Sequence, residues 1–134
     1  VKTNYYLLED VCPNCGHAKK RLHIGLAMAG WHFGLHVIPE EGLNSLGDWL
    51  FRLDRKEPSK KIVTDTGEAV ERCDLIAEIL NGRPAEVELN WSQEALDLNH
   101  AELDDDGLVR SRVCKESHCI GHDGPCDLIE GEFC

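Results

Sequence analysis

The chain has 134 residues, 42% hydrophobic and 29% charged, enough for one modest hydrophobic core. Twenty-five acids against 14 bases give a net charge of −11, which repels nucleic acid from most of the surface and favours basic partners. No apolar run approaches the roughly 18–20 residues of a membrane span, and Glu9, Asp10 and Lys19–Arg21 interrupt any secretory leader, so the expected location is the cytoplasm of a bacterial host. The charge is uneven: residues 1–39 carry four bases and two acids, residues 40–134 ten bases and 23 acids. Seven cysteines, an odd number and several beside histidines, point to metal ligation rather than a full disulfide framework.

Residues 4–9 are β-prone and lead into Cys12-Pro-Asn-Cys15-Gly16. Beyond the basic Lys19-Lys20-Arg21, residues 22–28 and 31–38 read as two strands joined at Ala29-Gly30. In the second, Trp31, Phe33, Leu35 and Val37 share one face and His32, Gly34 and His36 the other. A helix follows, capped by Asn44 or Ser45, with Leu43, Leu46, Trp49, Leu50 and Leu53 at helical spacing. Residues 61–70 form a small hairpin turning at Asp65-Thr66-Gly67. A second helix spans Glu71 to Asn81, burying Leu75, Ile76, Ile79 and Leu80 with Cys73 as a core residue, and ends at Asn81-Gly82 before Pro84. A third runs from Ser92 to Asn99. An acidic turn at 102–107 precedes a strand at 108–113 that exposes Arg110 and Arg112, and the rest is a Cys/His-rich tail.

The expected class is α+β: an N-terminal zinc-ribbon-like β-hairpin module (1–40) and an acidic α+β region (41–134) packed on it as one domain, with central helices and the Cys/His-rich tail.

Cys-x-x-Cys-Gly before a hairpin is a strong zinc signal, because a two-residue gap lets both thiolates grip one ion. Zinc needs four ligands, and the nearby choices are His17, His23, His32 and His36. Residues four apart in a strand are roughly 13 Å apart, so His32 and His36 do not share an ion. A two-residue turn at Ala29-Gly30 places His23 opposite His36. The expected site is therefore Cys12, Cys15, His23 and His36, with His32 as the substitute. Such a closed shell is structural and leaves no position for a substrate water.

A second zinc site would use Cys114, Cys119, His122 and Cys126, against which stand a disulfide or small buried thiols. One zinc is expected, two at most. A metal-dependent phosphodiesterase centred on His118 and His122, with Asn99-His100, is the enzymatic alternative. The acidic surface and the order of its residues speak against it, and the chain is not expected to be an enzyme.

Asn4-Tyr-Tyr-Leu7, Cys12-Pro-x-Cys-Gly16, Leu22-His-Ile-Gly25, Gly30-Trp-x-Phe-x-Leu-His36, Asn99-His-Ala101, His118-Cys-Ile-Gly-His122 and Asp127-Leu-Ile-x-Gly-Glu-Phe133 together resemble a family of small zinc-ribbon-like proteins of tailed bacteriophages. The resemblance spans nearly the whole chain and implies a setting rather than an activity. In that family's pattern position 32 is a cysteine, whereas positions 114, 126 and 134 are not; this keeps His32 as a ligand candidate and weakens the second site.

The expected function is binding: an acidic phage protein that inhibits or modulates a host protein with a basic surface, such as a CRISPR effector. Asp104, Asp105 and Asp106 are candidates for that contact. The alternative is a nucleic-acid or polymerase accessory acting through Lys19, Lys20, Arg21 and Trp31.

Overall fold

The computed structural model describes residues 2–53, 60–81, 91–105, 107–116 and 118–131. Its strands are β1 (Lys2–Val11), β2 (Ala18–Met28), β3 (Phe33–Val37), β4 (Lys61–Thr64), β5 (Ala69–Val70), β6 (Ala101–Leu103), β7 (Val109–Ser111), β8 (Cys119–Asp123) and β9 (Cys126–Glu130). Its helices are α1 (Leu46–Leu53), α2 (Arg72–Asn81) and α3 (Gln93–Leu98). The fold is mixed α+β and dominated by one sheet. Seven strands lie in the order β5-β4-β1-β2-β3-β9-β8, and β6-β7 form a separate ribbon. Every pairing is antiparallel except β3 with β9. Residues 1–40 and 41–134 therefore share one sheet, because β4 and β9 add to the two sides of β1–β3.

Alternation decides which face is buried. Tyr5, Leu7, Leu22, Ile24, Phe33 and Leu35 point into the main core, joined by Trp49 and Leu53 of α1 and by Leu75 and Ile79 of α2. Ser45 caps α1 as expected. Its hydroxyl accepts from Asp48 N at 3.2 Å, and the Asp48 carboxylate accepts from Asn44 N at 3.0 Å, so both ends of the first turn are satisfied. The indole N–H of Trp49 donates to the His36 carbonyl at 2.7 Å and ties α1 to β3. The 61–70 hairpin and the Ser92-capped α3 also form as read from the sequence.

Four expectations are corrected. Strand β2 begins at Ala18, so Lys19–Arg21 lie within it and the Cys12–Cys15 segment is the turn between β1 and β2. The supposed tail is a β-hairpin that completes the sheet, with Phe33 beside Cys126 and Leu35 beside Leu128. Its Cys, Gly and His content hid two strands, since parallel pairing to β3 is a long-range partnership. Along α2, Leu75 and Ile79 are buried, but Leu80 and Cys73 face outward. Arg110 is withdrawn rather than exposed, its guanidinium Nε donating to buried Asp127 at 2.8 Å. The expected cap at Gly82 and Pro84 lies outside the described residues.

One irregularity organises the sheet's second face. Tyr5 pairs with Gly25 but Tyr6 with His23, so Ile24 is an extra residue in β2. Below the bulge Leu22 and Ile24 face the core; above it Gly25 and Ala27 do. His23 and Leu26 thus share the second face. Part of that face is covered by α3 and the β6-β7 ribbon, whose Leu96, Ala101 and Val109 pack with Trp31 and Trp91.

Candidate functional site

The first two expected zinc ligands lie on the turn joining β1 to β2. Pro13, Asn14, Cys15, Gly16 and His17 are exposed and Cys12 is half-buried. The turn closes through Gly16 N donating to Cys12 O and Cys12 N donating to His17 O, each at 2.8 Å. Gly16 adopts φ +74°, a left-handed conformation that a side chain resists, and no atom comes within 4 Å of where its Cβ would lie. The backbone N–H groups of Cys15 and Asn14, with the Cys15 thiol, are hydrogen-bonded to the Cys12 sulfur and hold its pKa below the ordinary thiol range. Two convergent sulfurs with amide donors aimed at one of them fit two corners of a zinc tetrahedron.

The other two expected ligands are elsewhere. His23 lies five residues along β2 from Ala18, about 16 Å at strand rise. His23 and His36 do meet, with their Nδ1 atoms 3.1 Å apart. The observed ladder puts Gly25 opposite Leu35, where a two-residue turn at Ala29-Gly30 would have put Gly34, so it runs one step off the register expected for these histidines. The Ile24 bulge restores the step, so the expected neighbours come together for a reason the turn alone does not supply. His32 is farther still from the thiols, near the opposite end of the β2-β3 hairpin, where it pairs with Asp104. The set Cys12, Cys15, His23 and His36 is therefore split between two places, and no group of three or more His, Cys, Asp or Glu side chains suited to a metal forms among the described residues.

The histidine pair has its own chemistry. Asn4 Oδ1 accepts from His23 Nε2 at 2.8 Å, so the His23 Nδ1 is left bare and accepts from His36 Nδ1–H. Burial, then the neighbouring His36 and Arg21, push the His23 pKa down to about 4. Arg21 itself lies over the Tyr6 ring, 4.0 Å from its centroid.

The second expected ligand set is divided by the sheet. Cys119 and His122 are on the second face, where the Cys119 thiol is 3.3 Å from Gly121 O and the His122 Nε2 donates to Ser111 O at 2.6 Å. Cys126 points the other way, into the main core, where burial raises its pKa to about 12 and keeps it a thiol. Burial also raises the Cys119 pKa. Cys114 is half-buried. Asp127, next to Cys126 but on the second face, accepts from Arg110 Nε and Ser111 N, both at 2.8 Å. This polar anchor was not singled out in the sequence, where it is one acid beside a short apolar run.

The proposed nucleic-acid contacts are mostly occupied. Lys20 pairs with Glu41 at 2.5 Å, and Trp31 packs edge-on against Trp91 with centroids 5.8 Å apart. Lys19 and Arg21 are exposed, Arg21 with its guanidinium over the Tyr6 ring. A further ionic chain, Glu9–Arg52–Glu41, clamps the turn end of the β1-β2 hairpin to α1, with Arg52 2.6 Å from Glu9 and 3.2 Å from Glu41. Of the acidic turn, Asp104 accepts from Leu108 N at 3.0 Å as well as pairing with His32, Asp105 is exposed, and Asp106 lies outside the described residues. His100, with φ 50°, closes α3 by its backbone, and His118 lies beside Gly131; with His122 bound to Ser111, the phosphodiesterase arrangement does not assemble among the described residues.

Comparison with protein-family models, curated proteins and solved structures finds no match to this chain. No helix among the described residues is long and apolar enough to cross a membrane.

Proposed function

We propose that this chain is an acidic binding protein, carrying zinc at its Cys12–Cys15 turn, that acts by occupying a basic surface of another protein. The observation that carries this reading is an acidic edge at the outer rim of the sheet. Asp65, Glu68, Glu71 and Asp74 are all exposed around the β4-β5 turn and the start of α2, with Arg72 the sole base between residues 62 and 81. Elsewhere Lys20, Arg52, Lys60 and Arg110 are engaged by Glu41, Glu9 and Asp127, so much of the basic charge is neutralised within the molecule. Such an edge presents carboxylates where a nucleic-acid-binding protein expects phosphates, and attraction across it steers encounter.

The resemblance to phage proteins supplies the partner class: a nucleic-acid-binding protein of the bacterial host, such as a CRISPR effector, inhibited or modulated in the host cytoplasm. The test is cross-linking in a bacterial lysate, with duplex DNA as competitor, using wild type and a Glu68→Lys/Glu71→Lys/Asp74→Lys variant of unchanged melting temperature. Support is a basic protein cross-linked at this edge, displaced by DNA and lost in the variant. Direct, salt-dependent binding of duplex DNA by the chain itself would instead favour the nucleic-acid accessory reading.

A further inference from the structure

We propose that Cys12 and Cys15 are half of a zinc site completed by the same two cysteines of a second copy, so that one ion joins two chains tip to tip.

The turn between β1 and β2 offers half of a tetrahedral ligand set. It has two sulfurs two residues apart, a left-handed glycine closing the turn, and amide groups of Asn14 and Cys15 on the first sulfur. A tetrahedral ion needs two more donors. His23 and His36, which the sequence nominated, are about 16 Å away along a strand whose pairing to β1 runs from Met28 to Ala18. His17 is the remaining nearby histidine, and it does not combine with the two cysteines into a three-ligand group.

The tip is also shaped to meet another molecule. It projects beyond the Val11–Ala18 pair at the end of the longest hairpin in the sheet, and the space around Gly16 is open. The Glu9–Arg52–Glu41–Lys20 chain holds the hairpin just behind its tip, at the Glu9–Lys20 pair, so the sulfurs are presented on a braced element. A redox role fits less well. Thiol–disulfide motifs of this spacing open a helix, and here the second cysteine leads into a strand.

Charge selects the tip as the meeting point. Two chains of −11 repel one another, but residues 1–39 carry four bases against two acids. Zinc on four thiolates has a net charge of −2, and the exposed Lys19 from each chain lies close in sequence to offset it. Zinc thus brings two copies together at their least acidic part and leaves each acidic edge on the far side of β1. The inference does not depend on the partner proposed above, since each rests on a different part of the surface.

The experiment is zinc titration of the full chain after chelator treatment, followed by native mass spectrometry and sedimentation velocity. The expected result is saturation at half an equivalent of zinc, with conversion of monomer to a dimer holding one ion. Cobalt substitution adds a spectroscopic count: tetrahedral bands with thiolate charge transfer should reach full intensity at the same half equivalent. Cys15→Ser should lose both the ion and the dimer, whereas Cys73→Ser and Cys134→Ser should keep both. Should Cys15→Ser misfold, mixing tagged and untagged wild type reads the same point, with zinc-dependent co-capture that chelation abolishes. One zinc per monomer, zinc retained by Cys15→Ser, or a chain that takes up no zinc and forms a Cys12–Cys15 disulfide would each overturn the proposal.

Discussion

His23 and His36 face each other across the second side of the sheet with their Nδ1 atoms 3.1 Å apart, and Asn4 fixes which of them donates. This arrangement admits a neutral His23 and disfavours a charged one, because protonation sets its new N–H against the N–H of His36. With the pKa near 4 in the fold and about 6.5 in the unfolded chain, the unfolded state binds more protons between those values. Stability from this site is therefore complete above pH 6.5 and declines as the pH falls toward 4. Allowing for its partial exposure, the loss is about 1–2 kcal/mol. Urea melts from pH 7.5 to 4 should show this decline, and His23→Gln should flatten it.

The bulge that brings these histidines together depends on Gly25. A Cβ there would stand 2.2 Å from the Gly34 carbonyl and 2.5 Å from Phe33 Cε1, both in the crowded crossing of β2 and β3. Neither a backbone carbonyl nor a buried ring moves aside cheaply. Gly25→Ala should destabilise the fold by about 3 kcal/mol, read as a lower urea midpoint. Gly47→Ala, whose Cβ would meet nothing closer than Ser45 Oγ at 3.7 Å, should leave the midpoint nearly unchanged or slightly higher.

Glu9 is a buried carboxylate held by Arg52 at 2.6 Å and Lys60 at 3.3 Å, and hydrogen bonding to Arg52 keeps its pKa below the usual carboxylate value. Glu9→Gln retains the shape but removes the charge opposite two cations. It should cost about 1–2 kcal/mol in a thermal melt, and the difference from wild type should shrink as the pH falls through the depressed pKa. If the shared zinc depends on a braced hairpin, the same variant should also weaken dimerisation by zinc without abolishing it.

Asp127 anchors β9 to β7, one oxygen accepting from Arg110 and the other from Ser111 N. Asp127→Asn replaces one acceptor by a donor and leaves Arg110 with no buried countercharge there. The expected loss is about 3 kcal/mol. Amide hydrogen exchange should locate it, with protection falling at Ser111 and along β9 before the β1-β2 hairpin is affected.

Much of the local structure was legible in the sequence because short-range chemistry decides it. The Ser45 cap, the short helix after Ser92, the Asp65–Gly67 turn and the alternation of Phe33, Leu35 and Val37 each depend on residues within a few positions of one another. Cys12-Pro-Asn-Cys15-Gly16 likewise closes as a tight turn through its own short-range contacts, Gly16 N donating to Cys12 O. Tertiary structure decided the rest. An inserted residue, Ile24, chose the face on which His23 lies, and strand rise placed it too far from the Cys12 and Cys15 thiols to share an ion with them. Parallel pairing of β9 with β3 turned a Cys- and His-rich stretch into sheet, sending Cys126 inward while Cys119 and His122 went to the other face. Spacing along a chain reports which ligands are near in sequence, but metal geometry and electrostatics act through space, where strand direction and face govern distance.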